Sequence, residues 1–137
     1  MKSRTIELPA ELESLTAAAH FTADVIREVL GDSPPAHLGY NISLAVSEAL
    51  TNAIRHCGCG KIVGLEFSWD QQQVAITVTD QGEALHMADI SEPDFKSGAE
   101  GGYGLYIMQQ LMDDIRVENF SGGKRLLMIK HLNQGSG

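Results

Sequence analysis

The sequence predicts an α/β (α+β) two-layer sandwich, a mostly antiparallel mixed sheet with its helices on one face. Three observations carry this prediction. Two early stretches repeat apolar residues at helical spacing. Two pairs of segments alternate apolar and polar residues about short turns. One further helical stretch separates those pairs. The resulting order, βααββαββ, is that of strands covered by helices around one core.

The elements follow in turn. Residues 4–8 alternate and read as a short strand. Pro9 sits where the first turn of a helix tolerates proline. Beyond it Leu12, Leu15, Ala18, Phe21, Val25 and Val29 recur at helical spacing until Gly31 ends the run. Pro34-Pro35 marks a boundary, and a second helix is predicted from Ala36 to His56 with Gly58 as its stop. Lys61 to Trp69 alternates with Val63, Leu65, Phe67 and Trp69 on one face. After the turn Asp70-Gln71-Gln72, the segment Gln73 to Asp80 alternates again with Val74, Ile76 and Val78 on one face, which completes an antiparallel hairpin. Residues 81–103 are rich in glycine, hold Pro93 and show little periodicity; a loop of that length is usually functional or mobile. Leu105, Met108, Leu111 and Met112 then space a third helix. Ile115 to Phe120 and Arg125 to Leu132 form a second hairpin across Ser121-Gly122-Gly123. The domain is expected to occupy residues 1–132, with 133–137 a frayed tail.

Composition narrows the function classes. A chain of 137 residues suits one domain, and 43% hydrophobic residues supply a core without disulfides or metal. Eighteen acidic against ten basic residues give a net charge of −8, which repels phosphate backbones and favours a basic partner over nucleic acid. No apolar run approaches the roughly 20 residues of a membrane span. The opening Met1-Lys2-Ser3-Arg4-Thr5 leads into alternation and not into a signal-peptide apolar stretch, so the expected location is cytoplasmic. Cys57 and Cys59 stand one residue apart, poor spacing for a disulfide, and His56-Cys57-Gly58-Cys59 lacks the second ligand pair of a zinc site.

Three polar features stand out. Glu48, Asn52 and His56 lie at i, i+4 and i+8 of the second helix, and steps of four drift only about 40° around the axis. They line one stripe, which is either a solvated face or one wall of a site. Asp80 continues the Val74, Ile76, Val78 face and is expected to point toward the core. A buried carboxylate needs hydrogen-bond donors. A backbone amide in a turn before Gly82 would serve, as would the amino group of a ligand. Gly101-Gly102-Tyr103-Gly104 lies directly before a helix, where it is either a hinge or an approach for phosphate to free N–H groups. No Gly-Lys-Ser/Thr follows it, so it is not a Walker A loop, and no strand immediately precedes it, so it is not a dinucleotide fingerprint.

Taken together, these features resemble the GHKL ATPases, and among them the bacterial anti-sigma-factor serine kinases. Val46-Ser47-Glu48-Ala49-Leu50-Thr51-Asn52-Ala53-Ile54-Arg55-His56 looks like their N box, Asp80-Gln81-Gly82 like their first glycine box, and Gly102-Tyr103-Gly104-Leu105-Tyr106-Ile107-Met108 like their second. Met112-Asp113-Asp114-Ile115 and Lys130-His131-Leu132 are similar to that group too, and the likeness covers about residues 5–132. The resemblance implies a Bergerat-type fold that takes ATP and Mg²⁺. It assigns Mg²⁺ to Asn52, the role of general base to Glu48 and the adenine amino group to Asp80, with Gly82 allowing close approach. The backbone of Gly102 and Gly104 is assigned to the phosphates, Tyr103 and Leu105 belong to the same box, and His56 closes the N box. Between the glycine boxes, residues 83–101 are expected to form a lid ordered by nucleotide.

The implied function is a serine kinase that phosphorylates an anti-anti-sigma (STAS-type) partner and sequesters a sigma factor as a homodimer, with no nucleic acid and no membrane. The alternative is a nucleotide-dependent regulatory module without catalysis. A detached histidine-kinase catalytic domain is disfavoured, because no long phosphoacceptor helix pair precedes the domain. The chain departs from the kinase pattern in several places. Ala84 stands for a glycine, Glu100-Gly101 for Arg-Ser, and Gly123-Lys124-Arg125 for Gly-Thr-Thr; the one arginine of the first helix is Arg27, at a different position. Lys96 and Lys124 are expected at the surface, as lysines usually are, with a place near the phosphates as the alternative.

Overall fold

Alternation and helical spacing resolve into eight elements in the computed structural model, which describes residues 1–31, 36–57, 60–82 and 102–132. In chain order they are β1 (Lys2–Pro9), α1 (Ser14–Leu30), α2 (Ala36–Cys57), β2 (Ile62–Trp69), β3 (Gln73–Asp80), α3 (Gly102–Leu111), β4 (Asp114–Phe120) and β5 (Gly123–His131). The strands form one sheet in the order β1-β2-β3-β5-β4, and all four pairings are antiparallel. The predicted element order and two-layer arrangement therefore hold.

The period-two pattern decides which side of the sheet is covered. Val63, Leu65, Phe67 and Trp69 of β2, Val74, Ile76 and Val78 of β3, and Leu126 and Met128 of β5 are all buried. Against them α2 sets Ile42, Ala45, Val46, Ala49, Leu50 and Ala53, and α1 adds Ala18 and Val25. Helix α2 is the hub, in contact with α1, α3, β2 and β3. Each large apolar side chain buried this way contributes about 1.5–3 kcal/mol. The Phe21 and Phe67 rings meet at 6.0 Å and 57°, a tilted contact between α1 and the sheet.

Turn chemistry sets the ends. Asp70 Oδ1 accepts the backbone N–H groups of Gln72 (2.7 Å) and Gln73 (3.0 Å), which closes the β2–β3 turn as predicted. Gly31 ends α1 at φ 85°, a left-handed conformation that glycine adopts without strain. Lys130 is buried, and its Nζ donates to the Leu111 carbonyl at 2.8 Å, so a cation caps the C-terminal end of α3.

Several boundaries differ from the prediction. Pro9 does not open a helix; it ends β1 opposite Ile62, on an edge strand where its missing N–H leaves no ladder position empty. The chain then turns, with Ser14 donating from Oγ to the Pro9 carbonyl at 2.8 Å, and α1 begins at Ser14. Leu12 is consequently exposed in that turn instead of on the helical stripe. Helix α3 starts at Gly102, so Tyr103 and Gly104 lie within its first turn and not before it. Strand β5 starts at Gly123, two residues earlier than predicted. The expected stop at Gly58, the expected lid over 83–101, Lys96, and the expected tail at 133–137 lie outside the described residues.

Candidate functional site

The site is built at the end of β3. Asp80 is the last residue of the strand and the fourth on its covered face, and it is 3% exposed. Its Oδ1 accepts the Gly82 backbone N–H at 2.7 Å, the tight turn expected from Asp-x-Gly. The same oxygen accepts Lys124 Nζ at 2.9 Å, an ion pair whose side chains are 4% and 6% exposed. Both bonds converge on Oδ1, so neither engages Oδ2. Removing two charges from water costs several kcal/mol per ion, and the close pair with a further N–H donor offsets that cost.

Lys124 is the residue that sequence reasoning misplaced. The expectation of a surface lysine does not hold: Lys124 lies buried against the Asp80 carboxylate. The physical reason is register. Asp80 pairs directly with Lys124 across β3 and β5, and Lys124, Leu126, Met128 and Lys130 share the buried parity of β5. The alternation that places Asp80 places Lys124 as well once β5 is counted from Gly123.

Two glycines hold the carboxylate in position. A Cβ on Gly82 would lie 2.7 Å from the His56 carbonyl oxygen and 3.0 Å from Asp80 Oδ1. Only a glycine lets the chain after β3 pass so close to the last turn of α2. A Cβ on Gly123 would fall against the Asp80 carbonyl oxygen and 3.1 Å from the Phe120 ring. At Gly82 the chain makes a close approach to the protein's own helix.

The structure therefore brings Asp80, Gly82 and the His56 end of α2 together. Glu48 and Asn52 are half-buried on the same helix, with His56 exposed at its last turn. Among the described residues neither Glu48 nor Asn52 engages its side chain in a hydrogen bond or ion pair. Helix α3 packs on α2 and begins at Gly102, where the first-turn N–H groups have no intrahelical acceptor. A carboxylate oxygen beside an ammonium suits a heterocycle with an amino donor, and half-buried amide and carboxylate oxygens suit a hard cation. The residues present fit a purine nucleotide with Mg²⁺.

Comparison with known proteins identifies the family. The sequence profile of the histidine kinase-like ATPase domain matches residues 8–130. The serine-protein kinase RsbW of Bacillus subtilis (strain 168) is 33% identical over 105 residues, covering 68% of this chain and 64% of that protein. The anti-sigma F factor of Pasteuria penetrans is 38% identical over 101 residues, 67% of either chain. The chain thus spans about two thirds of the length of these relatives. Among solved structures, the RsbU and RsbW domains of Rv1364c from Mycobacterium tuberculosis superpose with a TM-score of 0.71 at 16% identity, over 96% of this chain and 33% of that one, a likeness of fold. The blue-light activated histidine kinase EL346 of Erythrobacter litoralis gives 0.59 at 26% identity, over 88% and 42%.

Proposed function

This chain belongs to the histidine kinase-like ATPase domain family, and from that premise we propose that it binds ATP with Mg²⁺ and acts as a serine protein kinase toward an anti-anti-sigma partner of STAS type, while sequestering a sigma factor in its other state. The observation that carries the nucleotide reading is Asp80: a carboxylate buried at a strand end, beside the last turn of the N-box helix, with one oxygen uncommitted to its two intramolecular bonds. The kinase and anti-sigma reading is supported by relatives named as a serine-protein kinase and an anti-sigma factor. A surface of net charge −8 suits basic protein segments better than nucleic acid. We place the protein in the cytoplasm as a homodimer; among the described residues no helix is long and apolar enough to cross a membrane.

Bound ATP supplies the phosphoryl group. Asp80 takes the adenine amino group, and the Asn52 side-chain carbonyl takes Mg²⁺, which prefers oxygen ligands. Glu48, one turn before Asn52 on the same stripe, accepts the proton of the serine hydroxyl. The free N–H groups at the start of α3, over Gly102, Tyr103, Gly104 and Leu105, take phosphate oxygens. His56 closes the stripe where α2 meets Gly82.

A second reading is favoured by one observation. Lys124 stands where those kinases carry a threonine, and it is paired with Asp80. A pocket altered at that point suits a nucleotide-dependent module that captures a partner without phosphorylating it. The test uses labelled ATP, Mg²⁺ and a candidate anti-anti-sigma protein. Label on a partner serine that disappears with Glu48→Ala supports the kinase; tight ATP binding without transfer supports the module.

A further inference from the structure

We infer that Lys124 is a second base-reading residue, whose ammonium donates to the ring nitrogen N1 of adenine beside the amino group that Asp80 accepts. This rests on the reading of Asp80 as the adenine anchor.

The argument starts from the cross-strand pair. Asp80 and Lys124 face each other in register, with Nζ 2.9 Å from Oδ1 and both side chains almost wholly buried. An ammonium has three hydrogens, and the bond to Asp80 uses one. An acceptor on any ligand at Asp80 therefore meets a second, charged donor a single hydrogen bond away. Adenine presents an amino donor at position 6 and an acceptor at N1, in adjacent positions of one edge. The carboxylate and ammonium present the complementary acceptor and donor, also adjacent. A purine with oxygen at position 6 and hydrogen on N1 would set acceptor against acceptor at the carboxylate and donor against donor at the ammonium, a mismatch at both positions.

The placement is also fixed. Gly123 cannot carry a Cβ without striking the Asp80 carbonyl oxygen, so β5 and β3 are held close at the level of the pair. Lys124 cannot swing to solvent without leaving Asp80 without its counterion. An ammonium makes a charge-assisted hydrogen bond, stronger than that of a neutral donor.

The experiment measures calorimetric affinity of the whole chain for Mg-ATP and for the triphosphate of 1-deazaadenosine, which keeps the 6-amino group and has C–H in place of N1. The triphosphate of purine riboside, which lacks the 6-amino group, reports on Asp80 separately. A hydrogen bond to a charged donor predicts about a 10- to 100-fold weaker affinity for the 1-deaza analogue in the native protein. In Lys124→Met the two affinities converge. Equal affinity for ATP and the 1-deaza analogue in the native protein overturns the role of Lys124, and so does a preference that survives in Lys124→Met. If purine riboside triphosphate still binds weakly in that event, the Asp80 reading stands alone. If no adenine nucleotide binds, both readings fall. Equal affinities in the native protein overturn the proposal even where Lys124→Met does not fold, and Lys124→Arg, which keeps a charged donor, then stands in as the variant in which the preference is expected to persist.

Discussion

Breaking the Asp80–Lys124 pair from either side should cost far more than an exposed salt bridge, and breaking both sides together should cost less than the sum. The pair is 2.9 Å long, its side chains are 4% and 6% exposed, and Oδ1 also holds the Gly82 N–H. Lys124→Met leaves Asp80 buried without its counterion, a change that costs about 3–5 kcal/mol in comparable buried pairs. Against a total stability of about 5–15 kcal/mol for a domain, that is a large fraction. Asp80→Asn keeps an acceptor for the Gly82 N–H but leaves the ammonium facing a neutral amide. The double variant carries neither charge, so its loss should fall short of the summed single losses by about 2–3 kcal/mol. Urea unfolding followed by circular dichroism at constant slope measures all four corners of the cycle. A Lys124→Met cost below about 1 kcal/mol, the value of a solvent-exposed pair, would refute the burial argument.

Other consequences follow from the same geometry. Gly82→Ala forces a methyl to within 2.7 Å of the His56 carbonyl, so it should cost about 1–3 kcal/mol by overpacking and weaken ATP binding by displacing Asp80; a thermal melt and a titration that both match the native protein would contradict this. At the far end of the hairpin, the backbone N–H groups of Gln72 and then Gln73 hold the Asp70 carboxyl below its ordinary value of 3.8. Because the folded value is the lower one, that contribution is complete above 3.8 and lost as the pH falls through the folded value. Asp70→Ala should therefore lose less stability on acidification than the native chain, and parallel urea midpoints across that range would count against the turn's role.

The fold was legible because its signals are local. Alternation in β2 and β3 and helical spacing in α1 each name their own buried face, and Phe67, Ile76 and Val25 are all buried where the pattern puts them. The candidate site was half legible. Parity alone put Asp80 on the covered side of β3. What escaped depends on chain segments far apart in sequence. The sequence does not show that Gly82 has the carbonyl near the end of α2 as its neighbour. Gly123 looked like part of a turn, whereas it is strand backbone pressed against Asp80. That misreading shortened β5 and left Lys124 as an ordinary surface lysine. Pro9 failed similarly: helix-start propensity is a local rule, and pairing with Ile62 on an edge strand overrode it.

The account depends on an adenine base meeting the end of β3. Crystals of the chain grown with ADP and Mg²⁺ test this directly. The exocyclic amino nitrogen is expected at hydrogen-bond distance, about 2.7–3.2 Å, from the Asp80 oxygen that Gly82 and Lys124 do not use. A nucleotide seated elsewhere on the sheet, or none bound at saturating concentration, would contradict it.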